Sequence, residues 1–272
     1  SLDINNGSSN SANVGMTGGE LNVGGSGTYM TIKDVGETTS NISGGTLSVS
    51  DTAVVKTVDN TVISGGTLTA SDSSSLNFDG NTKFTGGTVI MSDSSNLISE
   101  GNATLSGGKI NLNKNSTMNA NEKTLLSGST ININENASMV SSGATITGGS
   151  INVSSSATNA LNLKNTTMTA GTITVTGSNV SVANDSSLSG GSLILENTET
   201  SNTTLNNSGM ISYGTTVKLG TGTTTNVNNG GTLRMNSAQG ELAGDVWNGT
   251  VNVKNGGTFE TTFSSTYTGK TG

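Results

Sequence analysis

Residues 44–127 read GGTLSVSDTAVVKTVDNTVIS, GGTLTASDSSSLNFDGNTKFT, GGTVIMSDSSNLISEGNATLS and GGKINLNKNSTMNANEKTLLS, four consecutive 21-residue blocks that each open on Gly-Gly. Self-similarity at a fixed period of this length marks a solenoid, in which each block is one turn of a coil and buries its apolar face only against its neighbours. Leu47, Leu68, Val89 and Ile110 share one column, and Val49, Ala70, Met91 and Leu112 a second, with Ser48, Thr69, Ile90 and Asn111 between them. Alternation with a period of two is a strand with one buried face. Further apolar columns run through Val55, Leu76, Leu97 and Met118, and through Ile63, Phe84, Leu105 and Leu126. These columns predict three short strands per rung, joined at corners rich in Gly, Asn, Asp and Ser and stacked in parallel at about 4.8 Å. The expected fold is all-β, a right-handed parallel β-helix (β-solenoid) of about 21 residues per rung, the hand following from the twist that makes parallel crossovers right-handed.

Outward from this stretch the period loosens, but the strands keep their pattern. In residues 1–43, read as irregular N-terminal rungs, Gly18-Gly19-Glu20-Leu21-Asn22-Val23 copies the opener 26 residues before Gly44. A corner insertion of about five residues explains the excess, with Tyr29 or Met30 capping or filling it. The regular rungs run through 44–212, and openers such as Gly148-Gly149-Ser150-Ile151 and Gly190-Gly191-Ser192-Leu193 drift by one or two residues. Such drift belongs in corners, because a one-residue slip inside a strand turns its apolar column outward. Residues 213–272 hold five of the eight aromatics and the sole arginine, Arg234. There Gly230-Gly231-Thr232-Leu233 and Gly256-Gly257-Thr258-Phe259 are spaced 26 apart, which suggests larger rungs with bulkier fill. The whole of 1–272 reads as one β-helix.

Composition narrows the function. Apolar residues make up 30% of the chain, which is enough for a thin core only because they fall in columns. Proline is absent, as interior strands that donate to a ladder on each side require. Absence of His and Cys excludes histidine bases, nucleophilic triads and zinc sites of the usual kind. A net charge of −7 argues against nucleic acid or an anionic membrane as partner. No signal peptide, transmembrane run or lipidation signal stands in the sequence, so the chain is expected to be a processed or excised piece. No cofactor, no metal and no catalytic residue is assigned.

Four groups of residues are candidates for chemistry or contact. Asp51, Asp72 and Asp93 stack in one column, where repelling carboxylates would suit a hard cation such as calcium. Since the column continues as Lys114 and Glu135, a solvated corner is the plainer reading. Trp247 with Arg234 is the one place suited to stacking a sugar, and its plainer reading is core fill at the end of the coil. The outward column Thr67, Thr88 and Thr130 stands beside Asn111, Asn132 and Asn152. As a Thr-x-Thr array it would suit ice, but Lys109 and Ile90 interrupt it and Asn replaces the second Thr. As a flat ladder of donors and acceptors it suits pairing of two identical rods.

The GGTL, GGTV and GGSI openers, the Asn-Gly-Thr-Val-Asn-Val run at 248–253 and the Asn-Gly-Gly-Thr-Phe run at 255–259 resemble the passenger domains of classical monomeric autotransporters, specifically the self-associating adhesins. The resemblance covers most of the chain as style and period. It implies a right-handed β-helix carried across an outer membrane by a C-terminal barrel, and so a location at the cell surface or outside the cell. It also implies cell–cell adhesion or biofilm formation by self-association, or binding to a host-surface receptor or glycan. A stalk that presents another domain is the alternative, and a carbohydrate-binding or carbohydrate-active β-helix the next. The expectation is a non-enzymatic protein.

Overall fold

A strand whose alternate residues are apolar needs a second surface to cover them, and in this chain the covering surface is the rest of the same coil. The computed structural model describes residues 2–4, 9–12, 15–32, 40–58, 60–79, 81–100, 103–121, 124–183, 185–213, 215–235 and 246–261. Among them there is no helix; the elements are all strands. The block 65–85 forms Thr67–Ala70, Ser75–Phe78 and Asn81–Phe84, the first, second and third strands of a coil. Each pairs in parallel with its counterparts in the neighbouring coils: Thr67 opposite Thr88, Ser75 opposite Asn96, and Asn81 opposite Asn60. The fold is a parallel β-solenoid with three strands per coil and a repeat of 21 residues in its regular part.

Second strands stack into a 12-stranded sheet, while first and third strands share a 20-stranded one. They share it because the third strand of one coil runs through the Gly-Gly corner into the first strand of the next, as in Ser40–Val49 and Thr145–Ser155. The corner demands both glycines for different reasons. A Cβ on Gly86 would sit on the carbonyl oxygen of Ser64 in the coil below, so the first glycine marks close backbone approach. Gly87 has φ +82, the left-handed region, so the second glycine supplies a conformation other residues resist. Register shifts between adjacent coils at Ile146/Thr147 and Thr147/Ser150 fall at this same corner, which is where drift was expected.

All the apolar columns point inward. Leu68, Ala70, Leu76 and Phe84 are each at most 1% exposed, as are Val89, Met91 and Leu97. Phe78 is buried too, in a column that alternates with hydroxyls. There Thr57 pairs with Thr82 at 2.8 Å, Ser99 with Thr124 at 3.0 Å and Ser141 with Thr166 at 2.8 Å, each hydroxyl meeting one at the next coil's third strand. Corner serines are also buried: Ser74 donates to the Val49 carbonyl and Ser95 to that of Ala70, both at 3.1 Å. Polar groups in the core are thus satisfied in pairs, as burial requires. Among the described residues the exception is Thr225 Oγ1, buried in the column of Leu205 with no partner.

Two expectations about the ends change. Tyr29 and Met30 do not fill an insertion: they belong to the second strand Tyr29–Ile32, with Met30 buried opposite Val55. The excess lies elsewhere, since Ile32 pairs with Thr57 and Ser40 with Thr61, which leaves most of it between 32 and 40, outside the described residues. Nor do Gly230-Gly231 and Gly256-Gly257 open coils. Thr232–Met235 pairs with Met210–Ile211, and Thr258–Thr261 pairs with Thr232–Met235, so both are third strands. The run Thr250–Val253 is a second strand, paired with Thr224–Val227. Across the late coils Leu219 registers with Trp247 and Thr232 with Thr258, steps of 28 and 26 residues.

Candidate interaction surface

Outward residues of the first strand form two lanes along the rod. One lane runs through Thr46, Thr67, Thr88, Lys109, Thr130 and Ser150, and the other through Ser48, Thr69, Ile90, Asn111, Asn132 and Asn152, each residue in register with the next. Register keeps outward side chains aligned because the inward ones are locked in the core. The hydroxyls of Thr67, Thr88 and Thr130 make no side-chain hydrogen bond among the described residues, and the positions are half-buried by their neighbours.

The asparagines are different. Asn132 Nδ2 donates to Asn111 Oδ1 at 2.7 Å, and Asn152 Nδ2 donates to Asn132 Oδ1 at 2.9 Å. Alongside run Asn134 to Asn113 at 3.0 Å and Asn136 to Asn115 at 2.6 Å. On the second strand, Asn226 donates to Asn206 at 3.0 Å and Asn252 to Asn226 at 3.2 Å. Stacked amides of this kind fasten one coil to the next. An amide inside a ladder spends one of two N–H donors and one of two acceptor sites, and keeps the others for an external partner.

The acidic column sits on a backbone feature that the sequence did not announce. Asp51, Asp72, Asp93, Lys114 and Glu135 all have φ between 53 and 59, left-handed at a non-glycine residue. Each occupies the second position of a four-residue turn, closed for example by Ser74 N–H donating to Ser71 O at 3.1 Å. The carboxylates serve the coil below. Asp51 Oδ2 accepts the Gly25 N–H at 2.7 Å, Asp72 Oδ2 that of Asp51 at 3.3 Å, and Glu135 Oε2 that of Lys114 at 2.9 Å. Lys114 Nζ lies 2.6 Å from Asp93 Oδ1 and, with the Ser92 hydroxyl, holds the Asp93 carboxyl below its ordinary value. Among the described residues no three acidic groups converge on a cation position. The column, for which the sequence offered a calcium ladder or a solvated corner, forms a chain of corner clasps that tie neighbouring coils together.

Arg234, offered with Trp247 as a place to stack a sugar, is engaged within the chain. Arg234 Nε binds Glu260 Oε2 at 2.7 Å across paired third strands, and its guanidinium stands 5.9 Å from the Tyr213 ring centre. Glu260 raises the arginine's affinity for its proton. Trp247 is in a first strand, in register with Leu219, and its side chain lies outside the described residues. No protein-family model, curated protein or solved structure matches this chain.

Proposed function

We propose that the chain is the rod of a bacterial cell-surface adhesin, of the autotransporter passenger kind, which joins cells by pairing with copies of itself. The observation that carries this reading is the two-lane face of the first strand, where threonine hydroxyls without internal side-chain partners stand beside asparagine amides that are half spent. Contacts spaced by a fixed coil repeat let two copies bond in register many times over, each bond weak and the sum useful. An isologous arrangement presents the same lanes from both partners. Rods with a net charge of −7 repel, so added salt strengthens the pairing by screening. Enzymatic chemistry forms no part of the proposal.

A stalk that holds another domain away from a surface is the second reading. It is favoured by the ladders themselves, which already bond the amides within the chain and stiffen the rod.

Sedimentation velocity over a hundredfold concentration range, at two salt concentrations and with and without calcium, separates the two. Mass-action formation of an elongated dimer, lost when Asn111, Asn132 and Asn152 are replaced by Lys but with the melting curve kept, supports pairing through this face. A monomer under every condition overturns self-association and leaves the stalk.

A further inference from the structure

The asparagine ladder of the second strand ends abruptly at Asn206, and a depression of about 550 Å³ opens beyond it. The register is Asn162–Ser181–Asn206, so a serine stands where an amide would continue the ladder. Two residues further along the same strands the row is Lys164, Ala183, Ser208, again with its smallest member in the middle. Small side chains in the central coil, flanked by longer ones in the coils on each side, make the hollow. It is an open depression on the outer face of the second strands.

Ladder polarity decides what faces it. Along the ladder each Nδ2 points toward the N-terminal coil and each Oδ1 toward the C-terminal one, as Asn226 does to Asn206 and Asn252 to Asn226. Asn206 therefore turns its Nδ2 toward the Ser181 coil, and that group makes no other hydrogen bond among the described residues. The Asn162 amide, the Ser181 hydroxyl and the Lys164 ammonium likewise have no side-chain partner there. Asp185 is fixed at the rim, its Oδ1 accepting the N–H of Asn165 at 3.1 Å, which leaves Oδ2 as an acceptor.

We propose that this depression binds an acidic saccharide of the uronate type. Lys164 takes the ring carboxylate, Asn162, Ser181 and Asn206 meet ring hydroxyls, and Asp185 accepts from a hydroxyl. From Asn162 to Asn206 is two strand spacings, about 10 Å, the length of one or two pyranose rings. This site is on a different strand face from the pairing lanes, and the inference stands without the self-association reading.

The test is titration of the full chain with galacturonate disaccharide and, separately, the matching galactose disaccharide, followed by amide NMR shifts. Saturable shifts clustered on 162–164, 181–183, 185 and 206–208, with the acid bound at least about tenfold more tightly, support the proposal. Lys164→Gln should remove that preference. Ser181→Asn should fill the hollow, extend the ladder and abolish binding of both sugars without lowering the melting temperature. Absence of saturation, equal affinity for both disaccharides, or binding unchanged in Ser181→Asn overturns it.

Discussion

The Glu135 carboxylate accepts the backbone N–H of Lys114, one coil away, at a residue held at φ +53. Lysine has no side-chain means of easing a left-handed backbone, whereas asparagine and aspartate do. Lys114→Gly should relieve the strain at the cost of the exposed ion pair to Asp93, a weak contribution. The expected gain is about 0.5–1 kcal/mol of unfolding free energy, measured by urea denaturation.

Gly86→Ala should do the opposite. The added methyl meets the Ser64 carbonyl, which is backbone and cannot swing aside as a side chain can, so two coils must part. A loss of about 2–3 kcal/mol is expected. Thr88→Ala, an outward position beside the same corner, should be close to neutral, and equal losses at both sites would refute the close-approach account.

Thr225→Val exchanges a buried hydroxyl without a partner for a methyl of the same shape. Removing that unmet demand should stabilise the chain by about 1–2 kcal/mol. A lower melting temperature in this variant would mean that the hydroxyl is satisfied in solution.

Leu68→Asp puts an unpaired charge into a core one or two side chains wide, at a position 1% exposed. Several neighbouring coils should unfold together, because each coil's only support is the next. Circular dichroism on heating should show an early transition of partial amplitude or complete loss of the fold. An unchanged curve would place this column on the outside.

Acid should weaken the fold through the corner column. The folded-state value of Asp93 is lowered from 3.8, so its contribution is present above that value and is lost as pH falls through the lower folded one. Thermal midpoints should hold between about pH 5 and 8, where no histidine titrates, and fall below about pH 4. The acid loss should be smaller in Lys114→Gln, which lacks the ammonium that lowers Asp93.

The coil was legible because Leu47, Leu68, Val89 and Ile110 repeat at one offset, and a period of two with a repeat of 21 leaves few other folds. Corners were less legible. A Gly-Gly-Thr-Leu string looks the same before a first strand and within a third strand, and only the pairing of Thr232 with Met210 tells them apart. Left-handed backbone at Lys114 and Glu135 was hidden because neither residue type signals it. The hollow at Ser181 was written in side-chain sizes, Asn162–Ser181–Asn206, but reading it needs the coils aligned across corners of unequal length.

The interstrand hydrogen bonds of a solenoid lie along its long axis, so a load applied at the two ends pulls each ladder open in the direction in which it is bonded. Coils would then peel off singly. A coil of 21 residues adds about 70 Å of slack chain when released, against about 5 Å while folded. Under tension such a rod lengthens in steps of one coil, so that whatever hangs from it is given rope before it is let go.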